Sequence, residues 1–560
     1  MTGRLTDGFR PYLLLTVLCL ALYLPGLAAV PALDRDESRF IQATRQMLES
    51  GDYVRIQFQD EMRAKKPVGA YWLQAAAVKA FSHPLSRALW PYRLPGALAA
   101  WAAALMTFAF GSSLLGRRPA LLAGIMTATA LMLVAEAHQA KTDAVLLACS
   151  LAAQGTLARF YVAGRARALA GSGGCGSPSP VQGPGFGEAL VFWLAQGIGI
   201  LVKGPIVPVI SLLTIVALWV ADRAPPRWLL AMKPLLGTVV ALAVAAPWFV
   251  AINQATGGAF VGEAVKQDLL PKLLGAQESH GAWPGYYLIL AIATLWPASL
   301  LAWPAMVRAV SERRRLVYRF LLAWALPAWA MFELVPTKLP HYVLPAVPAV
   351  MLITAGLVAE DADIFRHRLA RLYYALWCLI GLALAAVVVA LPFKFGNGFE
   401  PSTLPAALGI VLATLLPAML AWRGRLVTAA LALALTAGAT FPPVFSQVMP
   451  RLDRLWVSRA VAEVIDSLAV AEPVVAAGYG EPSLVVLLGT RTKLTDGDTA
   501  AGWLQAHPRS AAVIADNEEA AFTAGAASRG AHFVALAHVT GFNYSRGKPV
   551  AITVYGTPRP

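Results

Sequence analysis

Leu33-Asp34-Arg35-Asp36-Glu37-Ser38-Arg39-Phe40 is a densely charged stretch that comes directly after an apolar run from Pro11 to Val30. The run has about the 20 residues that a helix needs to cross a bilayer. The charged stretch is acidic and unlike a cleavage site, which predicts a retained first span and no signal peptide. Beyond it, Phe40, Ala43, Met47 and Leu48 recur at helical spacing, so the chain leaves the membrane and continues as an amphipathic helix along its surface. Asp34 and Glu37, three apart, have capping-box form. That puts Asp36 in the first turn, where free amides and the helix dipole favour an anion. Capping alone accounts for Asp34. An ionised Asp36 at the helix start also has a chemical use: it can position or deprotonate an acceptor, or hold an amine.

The rest of the chain repeats the first contrast of apolar run and charged joint. Of 560 residues, 58% are hydrophobic and 14% charged, against roughly 25% charged in a soluble domain. Mean hydropathy is +0.60. Further apolar runs lie near residues 88–114, 119–134, 143–163, 188–202, 206–220, 234–250, 286–303, 320–335, 342–358, 373–391, 404–422 and 426–441, giving about thirteen spans. Gly69 to Phe81 is apolar but short, and His83-Pro84 closes it, so it reads as an interfacial helix.

The net charge of +15 raises the question of nucleic acid, but the basic residues lie in short clusters between apolar runs. Arg10, Arg117-Arg118, Arg165, Arg167, Arg223, Arg227, Lys233, Arg308, Arg313 to Arg315, Arg366 to Arg371, Arg423 and Arg425 then all fall on one side, which is therefore cytoplasmic. That side also carries a Gly/Ser/Pro-rich linker, Gly171 to Gly187. With the amino terminus inside and an odd number of spans, the carboxy-terminal region lies outside. From Arg451 onward, short apolar runs alternate with helix-like and turn-rich pieces, the pattern of a small α/β domain. The expected organisation is a transmembrane part, residues 1–445, with outer loops 31–87 and 253–285, and an α/β domain, residues 446–560. The four cysteines, Cys19, Cys149, Cys175 and Cys378, have no ligand-like spacing, so they imply neither a disulfide framework nor a zinc motif.

The outer joints hold an unusual set of polar residues: Asp34, Asp36, Glu37 and Arg39; Arg63, Lys65 and Lys66; His138, Lys141 and Asp143; Lys203; and Lys338, His341 and Tyr342. The positive-inside rule disfavours lysines there, so a bound anion at the membrane surface is a sufficient cause. Taken singly, each of these charges also reads as a snorkelling side chain or the partner of a loop carboxylate. In the long loop 253–285, the length suggests a lid. Glu278 and His280 are the metal candidates there, zinc being the ion considered, but a spacing of two with no third ligand equally describes a solvated loop pair.

Asp34 to Phe40, together with Gln46-Met47-Leu48-Glu49-Ser50-Gly51-Asp52-Tyr53 and Lys66-Pro67-Val68-Gly69-Ala70-Tyr71-Trp72-Leu73, resembles the first periplasmic loop of bacterial aminoarabinose transferases of lipid A. Lys141-Thr142-Asp143, Val202-Lys203-Gly204 and Lys338-Leu339-Pro340-His341-Tyr342-Val343-Leu344-Pro345 look similar to later parts of the same enzymes. The resemblance covers the membrane part and is loose in the carboxy-terminal domain. It implies the C-type glycosyltransferase fold shared with protein O-mannosyltransferases: a polytopic α-helical membrane protein with a carboxy-terminal α/β domain in the periplasm. It further implies an inverting, multi-pass inner-membrane transferase that acts as a monomer without a required cofactor. The donor would be 4-amino-4-deoxy-L-arabinose on undecaprenyl phosphate and the acceptor a lipid A phosphate, a modification that favours polymyxin resistance. Asp36 would be the catalytic carboxylate, with Glu37 beside it, Lys66 a phosphate ligand and Asp143 a supporting group. Arg39, Arg63, Tyr71, Lys141, Lys203, Lys338, His341 and Tyr342 complete the candidate substrate-binding set. Lys65 departs from the family, where an acidic residue is frequent. Two rival readings are a related transferase acting on protein hydroxyls or another glycolipid, and a lipid transporter or flippase. A transporter places its polar groups near the bilayer midplane and often shows repeated halves, whereas these charges gather at one surface.

Overall fold

The computed structural model describes residues 6–84, 86–170, 183–264, 266 and 282–558. Residues 171–182 of the linker, and Glu278 and His280, lie outside the described residues. The first half of the chain forms α1 (Arg10–Tyr23), α2 (Asp36–Ser50), α3 (Gly69–Phe81), α4 (Trp90–Leu115), α5 (Arg117–Thr129), α6 (Leu131–Ala137), α7 (Asp143–Ala170), α8 (Phe186–Lys203), α9 (Ile206–Asp222) and α10 (Pro234–Ala255). The second half of the membrane part adds α11 (Tyr286–Thr294), α12 (Ser299–Ser311), α13 (Leu316–Leu334), α14 (Val347–Ala359), α15 (Arg368–Phe395), α16 (Thr403–Trp422) and α17 (Leu426–Pro443).

Every apolar run is helical, but not every run is one full span. Among the described residues, seven helices are by length and composition long and apolar enough to cross a membrane, or eight if α5 and α6, bent by 59° at their junction, count as one. Other runs are short, like α1 and α9, or broken, as between α11 and α12, where Pro297 removes a backbone donor. The chain is a multi-pass membrane protein, with fewer full-length spanning helices than the thirteen apolar runs. At one end of the bundle, Arg319 donates to Asp222 at 2.5 Å and Arg315 to Glu360 at 2.7 Å, so the arginine-rich joints after α9, α12 and α14 do share a face.

The opposite end carries α2 and α3. Phe40, Ala43 and Met47 turn the apolar stripe of α2 inward, and Gly51, at φ 72°, ends the helix in the left-handed region where glycine carries no Cβ penalty. Two-residue strands β1 (Gln57–Phe58) and β2 (Glu61–Met62) pair as a small hairpin before α3. Gly69 opens α3 against the last turn of α8: a Cβ there would come within 2.8 Å of the Leu201 carbonyl oxygen.

The carboxy-terminal domain contains α18 (Val457–Ser467), β3 (Val475–Ala477), α19 (Pro482–Leu488), β4 (Lys493–Thr495), α20 (Gly497–Ala506), β5 (Ala512–Ala515), α21 (Glu519–Ser528), β6 (Val534–Asn543) and β7 (Lys548–Gly556). Its sheet has the order β4-β3-β5-β7-β6, parallel among β4, β3 and β5 and antiparallel at β7 and β6. The side chains of β3 and β5 alternate between two cores. Ala476 and Val513 pack with Val457, Val461 and Leu484 on one face, and Val475 and Ile514 pack with Leu504 and Phe522 on the other.

This domain seats itself on α2. Gln42 donates to Thr490 Oγ1 at 2.7 Å, Arg45 to the Val486 carbonyl at 2.6 Å, and Thr490 Oγ1 to Glu49 at 2.8 Å. Gln59, in the β1–β2 turn, donates to the Thr492 carbonyl.

Candidate active site

The start of α2 is built differently from the capping box that its sequence suggests. Arg35, not Asp34, is the N-cap, and no side chain caps the helix. Asp34 instead faces the carboxy-terminal domain, where its Oδ1 accepts the Ser483 amide at 3.2 Å. Glu37 accepts the Leu33 amide at 3.0 Å, one residue before the amide that a capping box led by Asp34 would use.

Glu37 does more than that. Its two oxygens accept Arg93 Nε at 2.8 Å and Nη2 at 2.9 Å, and Oε1 also accepts the Ala140 amide at 2.9 Å. Arg93 spends its remaining donors on the carbonyls of Leu27, Val30 and Pro31 at 2.7–2.9 Å. Both side chains are fully buried. Both Glu37 carboxylate oxygens are thus taken up by partners within the protein. Glu37 ties α2, the end of the first apolar segment, α4 and the 138–142 turn into one body. His138 belongs to the same joint: its ring bonds the Val134 and Pro25 carbonyls at 2.7 and 2.9 Å and stacks on Phe445.

With that joint fixed, several separated segments converge. Lys141 bonds Glu136 at 2.8 Å, Lys203 bonds Asp143 at 2.5 Å, and the His341 ring nitrogens lie 3.6 Å from both carboxylates, beyond hydrogen-bond reach. The Lys203 ammonium sits 5.0 Å from the centre of the Tyr342 ring. Across from them, Arg63 Nε donates to Tyr71 Oη at 3.2 Å and its guanidinium lies over Phe40. Asp36 is in the field of this group. Burial raises its carboxyl, but Lys141, Arg63 and Lys66 outweigh burial and hold it below the ordinary carboxylate range. Burial lowers the His341 imidazole to about 3 against the pull of Asp143, so it is neutral at physiological pH. Lys141 stays charged because Glu136, Asp143 and Asp36 overcome the cost of its burial. Four basic side chains, Arg63, Lys66, Lys141 and Lys203, thus gather with three acidic ones, Asp36, Glu136 and Asp143, a balance that favours an added anion.

Two expected ligands lie elsewhere. Lys338 is buried and donates to the carbonyls of Phe332, Glu333 and Val335 at 3.3, 2.6 and 3.0 Å, where it caps the end of α13. Arg39 is half-buried on α2 and has no bonding partner among the described residues. Glu136 and Arg93 are further members of this charged end that the sequence does not single out, although Arg93 is a lone charge inside the apolar run 88–114 and Glu136 stands just past the end of the run 119–134, a pattern that marks a paired or functional group.

Glu136, Asp143 and His341 offer ligand atoms within 4.8 Å of one another. A divalent ion fits poorly there, because the ammonium groups of Lys141 and Lys203 already occupy the two carboxylates.

A family profile for dolichyl-phosphate-mannose-protein mannosyltransferase matches residues 65–176, which hold Lys66, Tyr71, Lys141 and Asp143. Curated relatives include undecaprenyl phosphate-alpha-4-amino-4-deoxy-L-arabinose arabinosyl transferases. That of Pectobacterium carotovorum is 25% identical over 64% of this chain and 60% of its own length, and that of Aeromonas salmonicida is 26% identical over 68% and 66%. The chain thus spans about three fifths of the Pectobacterium relative. Among solved structures, ArnT from Cupriavidus metallidurans superposes with a TM-score of 0.71 in the apo state, at 18% identity over 97% of both chains. Its complex with undecaprenyl phosphate gives the same score over 98% of both chains. The chain has the fold of ArnT, and in sequence it is similar to the aminoarabinose transferases and, over residues 65–176, to the mannosyltransferases.

Proposed function

We propose that this protein transfers 4-amino-4-deoxy-L-arabinose from undecaprenyl phosphate to a lipid A phosphate at the periplasmic face of the inner membrane. The observation that carries the reading is the convergence of Arg63, Lys141 and Lys203, carried on separate segments, around the carboxylates at one site, where Lys141, Arg63 and Lys66 lower the Asp36 carboxyl against the effect of burial. A carboxylate with a lowered pKa is a poor general base, since base catalysis works best with a pKa near the working pH. A protein hydroxyl acceptor needs such a base. A lipid A phosphate does not, because it is already an anionic nucleophile.

In this scheme a phosphate oxygen of lipid A attacks C1 of the sugar. The bond from C1 to the undecaprenyl phosphate oxygen breaks, and that oxygen leaves with the electron pair. Lys66 and Arg63 stabilise the charge on the departing phosphate, with Lys203 and Tyr342 beside them. Asp36 orients the sugar ammonium or the acceptor. Attack from the face opposite the leaving group inverts the anomeric centre. Lys141, Asp143 and His341 hold the cationic wall in register.

Mass spectrometry of lipid A from cells with and without this protein tests the reading. A mass increment of one aminoarabinose that depends on the protein supports it. Unchanged lipid A together with a newly glycosylated protein would favour the hydroxyl acceptor instead.

A further inference from the structure

Asp36 is preceded by the most strained residue of the site. Arg35 has φ 63° and ψ −109°, close to the mirror image of extended backbone, a region comfortable only for glycine. Such a conformation is strained for a residue with a Cβ and persists only where its surroundings over-determine it. Glu37 fixes the far side through Arg93, and on the near side the restraint comes from a part of the chain some five hundred residues away.

Contacts from the carboxy-terminal domain hold the two residues before Asp36. The Asp34 amide donates to Tyr544 Oη at 2.7 Å, the Asp34 carboxylate accepts the Ser483 amide at 3.2 Å, and the Arg35 guanidinium donates to the Ser545 carbonyl. The turn between β6 and β7 that carries Tyr544 and Ser545 is itself braced. Asn543 donates to Glu481 at 2.8 Å, the Arg546 amide returns to Asn543 at 3.1 Å, and Trp456 packs edge-on against the Tyr544 ring. A bond from the amide of Asp34 to a tyrosine hydroxyl fixes the peptide plane entering Asp34, and the torsions of Arg35 set where Asp36 points.

We propose that Tyr544 is a positioning residue: through the Asp34 amide, the carboxy-terminal domain holds Arg35 in its strained conformation and so aims the Asp36 carboxylate into the cationic cluster. The proposal rests on the transferase reading above for its consequence in turnover, but not for the geometry itself. Tyr544 touches no reacting group. It acts on Asp36 as the second of two clamps, and it gives the carboxy-terminal domain a part in the reaction although that domain holds none of the cationic residues.

Tyr544→Phe removes one hydroxyl and leaves the ring packed on Trp456. In purified full-length protein, kcat is expected to fall by about tenfold or more, with KM for the lipid-linked donor and the melting temperature near wild type. Arg35→Gly relaxes the strain, so Tyr544→Phe should cost less on that background than alone. Amide hydrogen exchange gives a readout independent of substrate. Exchange over residues 33–40 should speed up in Tyr544→Phe, while residues 42–50 of α2 and the strands β3 and β5 keep wild-type rates. An inactive wild type overturns the transferase reading and leaves the exchange result to decide the positioning role. Wild-type kcat in an active Tyr544→Phe enzyme, or unchanged exchange at residues 33–40 in any preparation, overturns the proposal.

Discussion

Glu37 and Arg93 form a doubly hydrogen-bonded ion pair, at 2.8 and 2.9 Å, with neither side chain reaching solvent. The pair joins the acidic turn that carries Asp36 to α4, and through the Ala140 amide it also fixes the turn that presents Lys141. Removing one partner strands a buried charge, which costs about 3–5 kcal/mol. Arg93→Ala is therefore expected to lower the melting temperature sharply in detergent, and Arg93→Met with Glu37→Leu together to recover much of it. A single variant that melts like wild type would show that the joint is not under this control.

Asp34 gives a pH signature to the docking of the carboxy-terminal domain. Burial, with Glu481 nearby, raises its carboxyl to about 6 from 3.8. Between those values the docked state binds a proton that the undocked state has lost, so docking weakens as pH rises through the window. Ionisation costs the docked state roughly 3 kcal/mol at most, fully present above about pH 6 and absent below about pH 4. Relative to Asp34→Asn, wild type should gain melting temperature on going from pH 8 to pH 5. A constant difference between the two proteins across that range contradicts this.

The lysines of the cluster should differ in their effect on donor binding. Lys203 pairs with Asp143 at 2.5 Å, and Lys66 is one of the cations that lower the Asp36 carboxyl. Lys66→Ala is expected to weaken binding of undecaprenyl phosphate by about tenfold to a hundredfold, the effect of one charge-assisted hydrogen bond, and Lys203→Ala by less. Titration of purified protein with undecaprenyl phosphate measures both. Equal losses, or none at Lys66, would move the phosphate elsewhere in the cluster.

Lys338 behaves differently. It donates to three carbonyls at the end of α13, so Lys338→Met should destabilise the fold while leaving the affinity for undecaprenyl phosphate in the surviving folded protein unchanged. A selective loss of affinity without loss of stability would return Lys338 to the substrate side.

Much of the site can be read in the sequence because membrane physics makes charge expensive. Lys66, Lys141 and Lys203 stand out against apolar surroundings, and Phe40, Ala43 and Met47 announce α2 by their spacing. The bounds of α3 are marked by Gly69 and the closing Ser82-His83-Pro84. What the sequence hides is where a charge finds its partner. Asp34 reads as a cap because capping is the local use of such a residue, yet its partners are Ser483 and Tyr544, brought in by folding of a distant domain. Glu37 joins the catalytic set only through the resemblance, and its partner Arg93, fifty-six residues on, takes both its oxygens. Lys338 misleads in the opposite direction: its carbonyl partners are three to six residues away, so a local cap reads as a long-range ligand.

The central claim is that an ionised Asp36 among the lysines serves sugar transfer to a lipid A phosphate. It is tested most directly by incubating purified wild-type and Asp36→Asn protein, at equal loading, with aminoarabinose-linked undecaprenyl phosphate and lipid A, and by monitoring the product by mass. Wild type is expected to form lipid A carrying aminoarabinose, and Asp36→Asn, which keeps the shape but not the charge, to stay folded, bind undecaprenyl phosphate and turn over at a small fraction of that rate. No transfer by a folded wild type that binds undecaprenyl phosphate, or equal turnover by the two proteins, would contradict it.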